Sequence, residues 1–132
     1  GEKLYQGDEM DTLFFDKLKD AGVDVDTAIK RFMGKEDLYL KFLAKYQNDE
    51  SAANIEKYLA EKNVEEAFKS AHTLKGVAGN LGLDPIAKCA SEMVELLRGK
   101  DQLEEIDADQ LSSVSEELQS VHRSLLNILA EL

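Results

Sequence analysis

Apolar side chains recur at helical spacing along almost the whole of this chain of 132 residues, and a single proline, Pro85, interrupts the pattern. Residues three and four positions apart lie on one face of an α-helix, so each such run predicts an amphipathic helix. No run of strand length alternates between apolar and polar residues. The sequence therefore predicts an all-α protein.

The most regular run lies at the C-terminal end, where spacings of three and four alternate through Leu111, Val114, Leu118, Val121, Leu125, Ile128 and Leu132. Such a seam occurs in coiled-coil dimers and also on helices that pack inside an antiparallel bundle. Because several amphipathic helices precede it with short connections, we expect an up-and-down antiparallel four-helix bundle with additional short N-terminal helices. We expect a monomer rather than a dimer.

Local signals mark where the helices begin and end. We predict helices over residues 10–18, 26–32 and 37–46. A break over residues 48–51 is followed by another helix over residues 52–60, and Asn63 precedes the helix that carries His72. Asp84 is predicted to be the N-cap of the next helix, with Pro85 as its first residue. An acidic connector over residues 100–109 leads to the last helix. We expect a flexible segment over residues 1–10 and a single domain over residues 11–132.

Composition excludes several classes of function. Hydrophobic residues make up 43% of the chain, enough to fold, and the formal net charge of −11 argues against binding to nucleic acid. No apolar run is long enough for membrane insertion, and no signal peptide opens the chain, so a cytoplasmic location is expected. Cys89 has no cysteine partner, and His72 and His122 lack the spacing of metal ligands, so we expect no metal site.

The segment over residues 72–82, His-Thr-Leu-Lys-Gly-Val-Ala-Gly-Asn-Leu-Gly, is the candidate functional site. On a helix, His72, Lys75, Gly76 and Gly79 share one face. A glycine inside a helix costs about 0.5–1 kcal/mol relative to alanine, so two of them beside a histidine require a reason. The reason we propose is that a partner's surface must come close to the imidazole.

A helical wheel places His72 on the solvent side, opposite an apolar stripe made of Ala67, Ala71, Leu74, Ala78 and Leu81. Phe68 falls on the histidine's side, one turn earlier. It either contacts a partner or packs under a neighbouring helix.

The segment resembles the motif of the histidine-containing phosphotransfer domains of bacterial multistep phosphorelays. In that family, lysine and glycine follow the histidine at the third and fourth positions and another glycine follows at the tenth; here these are Lys75, Gly76 and Gly82. The resemblance covers residues 25–130, although only the histidine segment is a sharp motif. From residue 64 to residue 90 acids and bases balance, three against three, and a locally neutral setting suits a residue that must carry a phosphoryl dianion.

The resemblance implies that His72 is phosphorylated on Nε2 and that Lys75 lies near the phosphoryl group. It implies that the donor and the acceptor of the phosphoryl group are aspartates of response-regulator receiver domains. A sensor or hybrid histidine kinase is the further partner that it implies. No autokinase activity and no cofactor are expected in this chain, since Mg²⁺ would be held by the receiver. We assign Phe68, Lys69, Gly76 and Gly79 to the partner-binding surface.

Two other functions remain open. The chain could be the phosphoacceptor domain of a chemotaxis-type histidine kinase, which has a similar histidine-lysine-glycine pattern. The seam of the last helix also fits a helical adaptor or dimerisation module that is never phosphorylated.

Overall fold

The computed structural model describes the backbone of residues 2–132 and the side chains of residues 10–132, and no strand occurs over these residues. The all-α fold class is confirmed. The helices are α1 (Glu2–Asp20), α2 (Val25–Arg31), α3 (Glu36–Tyr46), α4 (Ser51–Ala60), α5 (Val64–Asn80), α6 (Asp84–Leu97) and α7 (Ala108–Leu129), with a 3₁₀ turn over Leu103–Glu105 before α7. Helix α1 begins before the predicted residue 10. The flexibility expected for residues 1–10 stays a prediction, because residue 1 and the side chains of residues 2–9 lie outside the described part.

Polar caps explain where several helices begin. The side chain of Asn63 accepts a hydrogen bond from the amide of Glu66 (3.2 Å) at the start of α5, which satisfies one of the free donors of that helix end. The predicted N-cap role of Asp84 is wrong by one residue. Leu83 is the N-cap of α6, because its carbonyl already accepts the amide of Ala87 (2.9 Å) and so makes the first bond of the helix.

Helices α4 to α7 form the core of the molecule. Helix α5 packs between α4 and α6, and α7 packs on α6 and closes against α4. This order of neighbours fits the expected four-helix bundle.

Much of the α7 seam points into the core, where Val114, Leu118 and Leu125 are buried, while Leu132 lies beyond the helix and is 47% exposed. None of the helices over the described residues has the length and apolar character that crossing a membrane requires.

The N-terminal helices hold the C-terminal end of α5. Tyr39 of α3 is fully buried and donates its hydroxyl to the carbonyl of Leu81 (2.8 Å). Arg31 at the end of α2 donates from Nη1 to the carbonyl of Gly79 (2.7 Å). The Tyr39 hydroxyl satisfies the carbonyl of Leu81, whereas the Arg31 guanidinium adds a second donor to the carbonyl of Gly79, which already accepts the amide of Gly82 (3.2 Å). The positive charge of Arg31 also suits the negative end of the helix dipole. The helix that carries His72 is therefore fixed at its far end by side chains from α2 and α3.

Candidate functional site

His72 lies in the middle of α5 and is exposed to solvent. The apolar stripe predicted on the opposite side is buried throughout; Ala67, Ala71, Leu74 and Ala78 are 0% exposed and Leu81 is 4% exposed. Because the stripe faces α4 and α6, the packing of the bundle fixes the rotation of α5 and keeps the histidine face in water.

The two lysines nearest to His72 differ in their partners. The ammonium of Lys69 lies 3.5 Å from a carboxylate oxygen of Glu65 and 3.6 Å from one of Glu66. The negative charges of Glu66 and then Glu65 raise the pKa of Lys69. Lys75 is exposed and forms no ion pair with any side chain that the structure describes. Of these two lysines, Lys75 is therefore the one whose ammonium is not already paired with a carboxylate of the described chain.

The glycines of the motif are of two kinds. A Cβ atom added at Gly76 or Gly79 would meet no atom within 4 Å outside the helix's own nearby backbone. Gly82 instead has a φ of +72°, and a Cβ there would lie 2.5 Å from the carbonyl oxygen of Asp24. Only glycine adopts that backbone conformation readily, and only glycine fits the space. The fold thus requires Gly82, whereas nothing in the described chain requires Gly76 or Gly79 to be glycine.

An open groove of about 1150 Å³ runs beside the histidine, between α5 and the N-terminal helices. Four predicted site residues line it, His72, Lys75, Gly76 and Gly79, whereas Phe68 and Lys69 do not. No motif in the sequence marks the residues that line the opposite wall, which are Arg31, Phe42, Lys45, Tyr46, Asn48 and Asp49.

The groove is basic although the chain carries a net charge of −11. Its lining contains three cations, Arg31, Lys45 and Lys75, and one carboxylate, Asp49. Field lines in a cleft with one predominant sign of charge favour an oppositely charged partner. The groove therefore suits an acidic partner surface that approaches His72.

Phe68 lies on the other side of His72 and is half-buried against the core. Its ring and the imidazole are nearly parallel, with centroids 6.3 Å apart and planes 13° apart. The guanidinium of Arg98, at the end of α6, lies over the Phe68 ring at 5.5 Å. Phe68 thus packs next to a neighbouring helix, and its assignment to partner binding stays a prediction, as does that of Lys69.

The second histidine, His122, is half-buried in α7 and does not line the groove beside His72. Its ring meets that of Tyr46 edge-on at 5.8 Å, and neither its Nε2 nor the Tyr46 hydroxyl has a hydrogen-bond partner in the described structure. Burial lowers the pKa of His122, against a smaller opposing effect of Asp49. Over the described residues, no group of three or more His, Cys, Asp or Glu side chains is placed to hold a metal ion.

Comparisons with known proteins agree with this geometry. The model of the Hpt domain family matches residues 41–124, which is more than half of the chain and includes the whole histidine motif. A similar solved structure is the HPt domain of the Hpt sensor hybrid histidine kinase from Shewanella, with a TM-score of 0.60 and 18% sequence identity over 85% of this chain and 97% of that one. At that identity the likeness shows the fold. None of the curated proteins matches the chain significantly.

Proposed function

Because the chain belongs to the Hpt domain family of two-component systems, we propose that it carries a phosphoryl group between receiver domains in a multistep phosphorelay. In this proposal His72 accepts the group from the aspartate of one receiver and passes it to the aspartate of another. One observation carries the assignment. His72 is exposed on the fixed helix α5, next to two glycines beside which the protein leaves open space.

The chemistry needs little from this chain beyond position and charge. The Nε2 lone pair of a neutral imidazole attacks the phosphorus of an aspartyl phosphate. The N–P bond forms as the P–O bond to the acyl oxygen breaks, the aspartate leaves as a carboxylate, and the Nδ1 proton is free to pass to solvent. Phosphoryl transfer depends mainly on alignment and on stabilising the charge of the phosphoryl oxygens. The ammonium of Lys75, one turn from His72, supplies part of that stabilisation.

The other groups that the reaction needs come from the partners. We propose that Mg²⁺ is held by the acidic pocket of the receiver, and that a sensor or hybrid histidine kinase supplies the phosphoryl group at the start of the relay. The cations of the groove attract that acidic pocket, and Gly76 and Gly79 let its surface approach the backbone of α5. A monomer in the cytoplasm suffices for this function.

The direct test mixes the purified chain with a phosphorylated receiver domain and locates acid-labile phosphate by mass spectrometry. We expect the phosphate on His72, and His72→Gln abolishes its uptake while helicity and melting temperature stay unchanged, because the side chain is exposed. His122→Gln is the matched control and retains uptake. Uptake on any residue other than His72 contradicts the assignment.

Lys75→Ala separates charge stabilisation from acceptance of the phosphoryl group. We expect the transfer rate to fall by about 10- to 100-fold, the equivalent of one hydrogen bond to a charged group, with phosphorylation still reaching His72. Quenched-flow measurement of single-turnover transfer gives the rate. A rate equal to that of the wild type would remove Lys75 from the mechanism.

Different donors distinguish the remaining functions. The phosphoacceptor domain of a chemotaxis-type kinase would gain phosphate from ATP and a kinase domain and not from a phosphorylated receiver. A pure adaptor would gain none from either donor. Its proposed contact surface, the seam of α7, is largely occupied, because Val114, Leu118 and Leu125 are buried in the bundle.

A further inference from the structure

The contact between Phe68 and His72 follows from the geometry of α5. Side chains on a helix lean toward its N-terminus, so the imidazole lies back over the turn that carries Phe68, four residues earlier. The two rings are nearly parallel, with centroids 6.3 Å apart and an interplanar angle of 13°. This separation lies within the range in which aromatic pairs attract each other.

Phe68 is itself held from two helices. Its ring is half-buried against the core from α5, and the guanidinium of Arg98, which follows α6, lies 5.5 Å from the ring centroid. That distance permits a cation–π attraction. Arg98 is in turn held by Glu95, whose carboxylate oxygen lies 3.3 Å from Nη2. The ring beside the imidazole is therefore anchored at a point where α5 meets α6.

An exposed histidine without such a neighbour would rotate among several side-chain conformers, most of them poorly aligned for attack on phosphorus. We infer that Phe68 is a positioning residue, whose anchored ring holds the plane of the His72 imidazole for phosphoryl transfer. Because Phe68 contacts His72 and does not line the groove, we expect its effect on transfer to pass through the imidazole rather than through a contact with the partner. The inference rests on the proposed function.

Two substitutions at Phe68 test the inference. Phe68→Leu keeps an apolar side chain against the core and removes the ring, whereas Phe68→Tyr keeps the ring. The NMR shifts of the His72 ring protons report the stacking through the ring current. Single-turnover transfer at increasing receiver concentration separates the maximal rate from the affinity of docking.

We expect Phe68→Leu to lose the ring-current shift and to lower the maximal transfer rate by about 2- to 10-fold, with an affinity for the receiver within twofold of the wild type. Phe68→Tyr keeps both the shift and the rate. Arg98→Gln, at the exposed end of α6, leaves the ring in place but less fixed. Arg98→Gln should therefore reduce both the ring-current shift and the maximal rate, each by less than Phe68→Leu does. It provides the test if Phe68→Leu fails to fold.

A maximal rate that is unchanged in Phe68→Leu overturns the inference. So does a loss of affinity at an unchanged maximal rate, since Phe68 would then be a docking contact. Arg98→Gln overturns it if the ring-current shift falls and the maximal rate does not. In each of these cases the wild type is still phosphorylated on His72. A wild type that takes no phosphoryl group from any receiver instead refutes the proposed function and the inference with it.

Discussion

Replacing Gly76 by alanine should make the protein more stable. Gly76 is an exposed position inside α5, where alanine is favoured over glycine by about 0.8–1.0 kcal/mol. The added Cβ meets no atom within 4 Å outside the local helix backbone, so no steric term offsets that gain. For a domain of this size, a gain of about 1 kcal/mol raises the melting temperature by about 3–5 °C. Urea and thermal unfolding followed by circular dichroism at 222 nm measure both quantities.

The gain in stability should come with a loss of function once the side chain is large. Gly76→Leu puts a branched side chain into the space that the receiver would enter in the proposed function, so we expect phosphoryl transfer from a receiver to be blocked while the fold stays intact. Surface plasmon resonance against the receiver should show the loss as weaker docking. Normal transfer by Gly76→Leu would refute the steric argument. If the Gly76→Ala protein were less stable than the wild type, Gly76 could not be an exposed helical position with free space beside it.

Gly82→Ala is the matched control, because it makes the same chemical change at a glycine that the fold requires. Its Cβ would lie 2.5 Å from the carbonyl oxygen of Asp24 and 3.1 Å from the Cβ of Ala28, and the φ of +72° is unfavourable for alanine. We expect a loss of about 2–4 kcal/mol in the free energy of unfolding, since α2 must move away from the turn. The two alanine variants should therefore shift the unfolding midpoint in opposite directions.

Two further substitutions test the packing around the site. Tyr39→Phe should lower the free energy of unfolding by about 1–2 kcal/mol in urea denaturation, because it leaves the buried carbonyl of Leu81 without its hydrogen bond; an unchanged value would mean that water replaces the hydroxyl. Burial lowers the pKa of His122, so the unfolded chain binds a proton at the ordinary pKa of about 6.5 while the folded chain does so only at lower pH. Stability is therefore retained above pH ~6.5 and lost as the pH falls between the two pKa values. His122→Gln should reduce this dependence in thermal melts, and an unaltered pH profile would count against it.

The helices and the face of α5 could be predicted because both depend on local periodicity. Apolar residues at spacings of three and four determine which side of a helix is buried, and the spacing from His72 to Lys75 and Gly76 is enough to place all three on the other side. Helix starts were less predictable. Asp84 is a residue type typical of an N-cap. The turn at Gly82 between α5 and α6 is so short that α6 already begins at Asp84, and Leu83 is the N-cap.

The groove could not be predicted, because its second wall comes from distant parts of the chain. Arg31 reaches the end of α5 across 48 positions of sequence, and no local pattern marks it or Lys45 as a neighbour of His72. The sequence also does not distinguish the two uses of glycine within one motif. Gly82 is required by contacts inside the chain, whereas Gly76 lowers the stability of its own helix by about 1 kcal/mol without relieving any contact in the described structure. A glycine that destabilises its own helix without relieving a contact inside the fold is expected where another molecule uses the space beside it. In the proposed function, that molecule is the receiver domain that reaches His72.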